Sequence, residues 1–218
     1  MQDYRLQFID LALSRDALRF GNFKLKSGRE SPYFFDAGLF GDGASTAMLG
    51  RCYAAAILSA GVEFDMLFGP AYKGIPLVTS LAIALAEHHG RNLPYAFNRK
   101  EAKDHGEGGS VVGTPLRGRV LIVDDVVTAG TAVRESLEII RGAGAQPVAV
   151  AFALDRQERG QGTASAVQEI ASQGLTCVSV VTLDELIETL SHPPDGQIRI
   201  SAEQLTSLLA YRQRYGVR

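Results

Sequence analysis

The chain has 218 residues, 46% of them hydrophobic, and its 22 lysines and arginines nearly cancel 24 aspartates and glutamates, for a formal net charge of -2. That size and apolar share suit one globular domain with a full core, residues 1–218, and the balanced charge gives no electrostatic reason to expect a nucleic-acid or membrane partner. Cys52 and Cys177 lie far apart and lack metal-ligand spacing, which predicts a reduced, cytoplasmic setting. The opening Met1-Gln2-Asp3-Tyr4-Arg5 carries acid and no long apolar run, so no signal peptide is expected, and no segment reads as a membrane span.

Taken in order, residues 3–14 have the spacing of an amphipathic helix, with Leu6, Ile9 and Leu13 on one face. Residues 18–26 alternate as a strand, 27–31 make a turn, and Tyr33-Phe34-Phe35-Asp36 returns, so residues 18–36 predict a small antiparallel hood ahead of the main body. A helix is expected over 43–60, ended by Gly61, then a short buried strand over 65–68. The loop Gly69-Pro70-Ala71-Tyr72-Lys73-Gly74 follows, and a helix over 75–89. His88 and His89 at its end read as favourable charge at a helix C-terminus rather than as ligands.

After a strand over 94–97 the character changes. Asn98-Arg99-Lys100-Glu101-Ala102-Lys103-Asp104-His105-Gly106-Glu107-Gly108-Gly109 has no apolar anchor beyond Ala102, and a mobile loop over 98–110 is expected. It makes a poor RNA-binding patch, because Glu101, Asp104 and Glu107 offset its cations and no aromatic residue interleaves. Lysine and histidine on a mobile loop are what a lid over an anionic leaving group needs.

The stretch around which the rest is organised is Val120-Leu121-Ile122-Val123-Asp124-Asp125-Val126-Val127-Thr128-Ala129-Gly130-Thr131-Ala132. Four aliphatic residues suit a strand buried on both faces; two carboxylates break the run, small residues follow, and a helix begins. In open α/β sheets ligands bind beyond the strands' carboxyl ends, and a helix N-terminus draws phosphate. Asp124 and Asp125 would repel a phosphate but accept hydrogen bonds from sugar hydroxyls, or hold Mg2+ through water. A phosphorylated sugar satisfies both halves. Beyond it come a helix over 131–143 stopped by Gly144, an apolar strand over 147–154 ending in Asp155-Arg156, a helix over 161–173, a strand over 175–181, a helix over 183–190, and a closing helix to Tyr211 with Ser201 as N-cap. The Gly-x-Gly-x-x-Gly, Walker, Gly-x-Ser-x-Gly and His-Glu-x-x-His patterns are missing, which argues against a dehydrogenase, P-loop NTPase, serine hydrolase or zincin.

The central stretch resembles the phosphoribosyl pyrophosphate (PRPP) motif of the type I phosphoribosyltransferases. The resemblance runs over most of the chain and is greatest to the orotate-using members of bacterial type. It implies an α/β fold, a central, mainly parallel sheet flanked by helices with the hood at one end. It implies transfer of ribose 5-phosphate from PRPP to orotate in de novo pyrimidine (UMP) synthesis, a pentosyltransferase reaction with Mg2+ as cofactor. The metal would be held mainly by substrate and water near Asp124 and Asp125.

By the same resemblance, Lys26, Tyr72, Lys73, Arg99, Lys100, Lys103 and His105 bind PRPP, together with Asp124, Asp125, Val126, Val127, Thr128, Ala129, Gly130, Thr131 and Ala132. Orotate is implied to meet Lys26, Phe34, Phe35, Thr128 and Arg156, and Lys103, Asp124 and Asp125 are the residues most tied to catalysis. A non-proline cis peptide is common in the family's 69–74 loop. Members are commonly homodimers in which the mobile loop of one subunit reaches the neighbour's site. From position alone, Arg156 reads equally as a surface arginine; a base bearing a carboxylate would give its charge a partner. Two other readings stay open: a phosphoribosyltransferase for a purine or uracil, and a non-enzymatic PRPP-sensing regulator that binds nucleic acid.

Overall fold

Helix, strand and hood follow one another as α1 (Tyr4–Ser14), β1 (Leu18–Lys24), β2 (Glu30–Phe35), α2 (Gly43–Ser59), β3 (Met66–Gly69), α3 (Gly74–His89), β4 (Tyr95–Lys103), β5 (Gly109–Gly113), β6 (Arg119–Val126), α4 (Thr131–Gly142), β7 (Gln146–Asp155), α5 (Ala166–Ala171), β8 (Thr176–Thr182), α6 (Leu183–Ser191) and α7 (Ala202–Tyr215). The computed structural model describes residues 3–25, 27–103, 109–127, 130–160 and 162–217, and the side chains of Ala102 and Lys103 lie outside that description.

Alternation along buried strands builds the centre. Val120 and Ile122 of β6 join Met66, Phe68, Val150 and Phe152 on one face of the sheet, where Val133, Leu137 and Ile140 of α4 cover them. Leu121 and Val123 join Leu67, Ala149, Ala151 and Ala153 on the other, beneath Leu49 and Tyr53 of α2 and Val78 and Leu81 of α3. Each such side chain contributes roughly 1.5–3 kcal/mol by leaving water, so strands with two apolar faces need helices on both sides. The sheet order is β5-β4-β3-β6-β7-β8. All neighbours run parallel except β5, which is antiparallel to β4. β1 and β2 pair as a separate antiparallel ribbon, the expected hood. Among the described residues no helix is long and apolar enough to cross a membrane.

Three expectations shift. Strand β4 does not stop at Phe97 but runs to Lys103, pairing Asn98 with Val111 and Lys103 with Gly109 across an irregular register. Backbone hydrogen bonds are indifferent to side-chain polarity, so a charged run can be a strand once a partner lies beside it. The helix expected over 161–173 is confined to α5, because Ser165 caps it reciprocally with Gln168, and Gly162 and Thr163 remain in the preceding turn. On α1 the buried face is Leu6, Phe8, Ile9 and Ala12, with Leu13 only half-buried.

Candidate active site

β3 and β6 are neighbours, and the chain leaves them toward opposite edges of the sheet. Strand order reverses there, which opens a crevice at the carboxyl ends of both. The two loops flanking it carry the carboxylates and the lysine singled out from the sequence.

Asp124 and Asp125 are the sixth and seventh residues of β6. The buried Tyr53 hydroxyl donates to the Asp124 carbonyl at 2.7 Å and so anchors the strand end. The Asp125 N–H donates to Asp124 Oδ1 at 2.9 Å, and the Val126 N–H donates to Asp125 Oδ1 at 2.8 Å. These bonds fix both carboxylates against the backbone. Burial, then the charge of Asp125, push the Asp124 carboxyl up to about 7.

Lys73 reaches the same place from the loop after β3. Its Nζ lies 2.9 Å from Asp36 Oδ1 and 3.0 Å from Asp125 Oδ2. Burial works to lower the pKa of this ammonium, but the bond to Asp36 and the charge of Asp125 outweigh it and leave it raised. Lys73 is therefore a charged group held between two acids. Asp36, from the end of the hood, also accepts the Gly38 N–H at 3.0 Å, and nothing in the sequence pattern marked it.

The loop itself is tightly folded. A Cβ on Gly69 would stand 2.3 Å from the Gly74 carbonyl oxygen, so only glycine lets the strand turn this sharply into α3. The Ala71–Tyr72 peptide is cis, as the resemblance implied. The Ala71 N–H donates to Asn98 Oδ1 at 2.8 Å, tying the loop to β4 through a buried asparagine that sequence reasoning missed. Tyr72 is 66% exposed, and Lys100 Nζ stands 5.2 Å from the centre of its ring. Arg99 precedes Lys100 on β4, in the stretch where the register with β5 is irregular.

At the end of β6, Val126 packs against one core and Val127, just beyond the strand, against the other. Gly130 adopts φ +67° as N-cap of α4 and supplies no side-chain cap, which leaves the first N–H groups of Thr131 and Ala132 for an anion. Arg134 folds back toward the same turn, with Nη2 3.4 Å from Thr131 Oγ1. Lys26, His105, Thr128 and Ala129 lie outside the described residues.

The hood residues divide. Phe34 packs on Phe23, with ring centres 5.6 Å apart. Phe35 points the other way, 8% exposed in the core against Phe8 and Phe40. Adjacent strand residues face opposite sides, so the Phe35 ring is no wall for a base; only its main chain could touch one. Arg156 also differs from expectation. Its charge does not wait for a ligand, because Nε donates to Glu158 Oε1 at 2.7 Å and the guanidinium lies 4.4 Å from the centre of the Tyr33 ring.

Among the described residues no three His, Cys, Asp or Glu side chains converge as a metal cage. Two adjacent carboxylates at one strand end do offer the hard oxygen donors that Mg2+ takes through its water shell. A strand-order reversal flanked by a loop lysine, paired carboxylates and a helix start with no side-chain cap among the described residues offers the groups that suit a phosphorylated sugar.

Comparisons sharpen that class. The phosphoribosyl transferase domain model matches residues 42–183. Orotate phosphoribosyltransferase of Klebsiella pneumoniae (strain 342) is 59% identical over 218 residues, 100% of both chains. That of Salmonella newport (strain SL254) is 57% identical over the same full extent. The crystal structure of orotate phosphoribosyltransferase from Francisella tularensis superposes with a TM-score of 0.85 at 39% identity, covering 96% of this chain and 99% of that one. Adenine phosphoribosyltransferase from Leishmania tarentolae shares the fold at 15% identity, TM-score 0.53, with 81% and 88% covered. The chain belongs to the orotate phosphoribosyltransferase family of pentosyltransferases.

Proposed function

We propose that this protein transfers ribose 5-phosphate from PRPP to N1 of orotate, releasing pyrophosphate and forming orotidine 5′-monophosphate for pyrimidine synthesis. The observation that carries the reading is the meeting of Lys73, Asp36 and Asp125 at the β3–β6 crevice, beside an α4 N-terminus free to take a phosphate. The 5′-phosphate sits on the Thr128–Ala132 turn, and Asp124 and Asp125 accept the ribose hydroxyls. As the bond to C1 breaks, positive charge grows on the ribose, and the two acids favour it electrostatically. Negative charge grows on the departing pyrophosphate, where Tyr72, Lys73, Arg99, Lys100, Lys103 and His105 gather around it. Mg2+, when bound near Asp124 and Asp125 through water and substrate, supplies further neutralisation of the leaving group. Lys26, Phe34, the Phe35 main chain, Thr128 and Arg156 set the base for attack. Ionised orotate needs no strong general base.

The segment 98–110 closes over the pyrophosphate and excludes water. The working unit is a homodimer, in which that segment of one subunit completes the site of its partner. Lys103, the last residue of β4, ends the charged run beside the edge strand β5. The setting is the cytoplasm, in keeping with two free cysteines.

The reading is tested by offering purified protein, PRPP and Mg2+ with orotate, uracil, hypoxanthine or adenine in turn. Orotate alone should be consumed, and chelating the metal should stop it. Turnover of another base in place of orotate would overturn the assignment of the base site, and PRPP binding without turnover of any base would point to a regulator. A second expectation concerns Asp36, which competes with the incoming anion for Lys73. Because this pair is half exposed it is worth no more than about 1 kcal/mol, so Asp36→Asn should lower the KM for PRPP by roughly twofold to fivefold. The KM for orotate should stay as it is. Steady-state kinetics with each substrate varied checks this, and a raised KM for PRPP would mean that Asp36 presents Lys73 rather than withholding it.

A further inference from the structure

A second charged cluster is buried between the hood, the turn after β7 and the C-terminal tail. At its centre is Glu158, whose side chain is only 13% exposed. Glu158 Oε1 accepts from Arg156 Nε at 2.7 Å and lies 2.7 Å from Arg156 Nη2. It also accepts from the Tyr33 hydroxyl at 3.3 Å. Arg29 Nη1 stands 3.6 Å from Glu158 Oε2. Nη2 of Arg156 makes a longer bond to the buried Ser31 hydroxyl, at 3.3 Å. The Tyr211 hydroxyl also lies against both Arg156 and Glu158, and its ring meets Tyr33 edge-on with centres 6.0 Å apart.

The backbone around Glu158 is pinned from several directions. Gln157 turns at φ +50°, with its N–H donating to Asp155 Oδ1 at 2.8 Å. The tail then closes on this turn: Glu158 forms a β-bridge with Gly216, Val217 N–H donates to the Gln157 carbonyl, and Arg159 N–H donates to the Tyr215 carbonyl. Arg29 spans the two, donating to the Gly160 carbonyl at 3.3 Å and lying 5.1 Å from the centre of the Tyr215 ring. Burial, first of all, keeps the Tyr33 hydroxyl protonated far above neutral pH, so it stays a neutral donor to Glu158.

Two guanidiniums share one carboxylate here, so the cluster keeps one positive charge. We infer that Glu158 is a positioning residue for base recognition: it clamps the Nε–Nη2 edge of Arg156 and, with Arg29, leaves the Arg29–Arg156–Glu158 group a single positive charge matched to a base that carries one carboxylate. This rests on the reading that Arg156 meets the base. A guanidinium clamped on two of its nitrogens gives up less rotamer freedom when it binds. The geometry also answers why an arginine already paired inside the protein can still select an anion.

The test compares wild type, Arg156→Ala, Glu158→Gln, Glu158→Asp and the Arg156→Ala/Glu158→Gln double variant, with the KM and kcat of each substrate measured alongside the melting temperature. Without its carboxylate, the cluster leaves two guanidiniums repelling each other, and Arg156 swings away from the base. Glu158→Gln should therefore raise the KM for orotate on the order of tenfold, with kcat and the KM for PRPP within about twofold. Glu158→Asp, which keeps the charge, should recover part of the loss. In the Arg156→Ala background, Glu158→Gln should change the KM for orotate no further, as expected for residues acting through one contact. An orotate KM unchanged by Arg156→Ala would overturn the reading of Arg156 itself. A normal orotate response to Arg156→Ala, with Glu158→Gln either silent, fully additive or tightening orotate, would leave that reading standing and overturn the role given to Glu158. A lower melting temperature with both KM values unchanged would also overturn it, leaving Glu158 a stabilising ion pair alone.

Discussion

Replacing Lys103 by Ala is expected to lower kcat on the order of a hundredfold to a thousandfold at saturating Mg2+, the usual loss when one preorganised charge is removed from a developing anion. The KM for either substrate should move far less, because the lysine meets charge that appears mainly as pyrophosphate leaves. In the fold, β4 carries the charged run as a strand as far as Lys103, and β5 returns from Gly109 beside it. Turnover close to wild type would remove Lys103 from the mechanism. If the segment serves a neighbouring subunit, inactive Lys103→Ala chains mixed with inactive Asp125→Asn chains should regain activity. In each mixed dimer one of the two composite sites holds both native residues. Failure to recover after verified subunit exchange would place the lysine and the carboxylate of each site on one chain.

The second large effect is a trade between stability and function at Asp124. Its carboxyl rises from an ordinary value of 3.8 to about 7 in the folded chain, through burial and then the neighbouring Asp125. The folded state thus holds this proton more tightly than the unfolded state does. Stability must then fall as pH rises from about 4 through about 7, and remain reduced above that. Asp124→Asn removes the titrating charge while keeping an oxygen for the Asp125 N–H. In the metal-free, ligand-free protein it should gain on the order of a few kcal/mol at pH 8, with the gain shrinking as pH falls toward 4. For a domain of this size that is several degrees or more in melting temperature. On the proposed function the same change should cost on the order of a hundredfold in turnover, since the carboxylate assigned to the ribose is lost. Thermal melts of both proteins across that pH range decide it: a gain independent of pH would refute the linkage.

The hood and the end of β7 show where a one-dimensional reading stopped. Phe34-Phe35 stood out as an aromatic pair, but strand alternation sends one ring to Phe23 and the other into the core. Arg156 stood out as a charge awaiting a carboxylate, yet Glu158, two residues on, supplies one. Neither Glu158 nor Arg29 carried a signal of its own, because a buried ion cluster is assembled from the hood, a strand end and the tail. Asp36 and Asn98 escaped for the same reason: their partners, Lys73 and Ala71, lie about thirty residues away in sequence and meet them only where loops converge.

What the sequence by itself determined was local and periodic. Four aliphatic residues before Asp124 dictate a strand buried on both faces, and the recurrence of Val133, Leu137 and Ile140 dictates a helix that starts just after Gly130. Those elements place the carboxylates and the start of α4 within a few residues of each other, so this half of the candidate site was legible in one stretch. Only the tertiary structure decided which loop comes to meet that stretch. Pairing of β3 with β6 brings Lys73 onto Asp125, an antiparallel partner turns a charged run into the end of β4, and docking of the tail beside β7 holds Glu158 against Arg156. Strand order and long-range ion pairs depend on which apolar faces find each other when the chain closes, and side-chain periodicity along a chain holds no record of that choice.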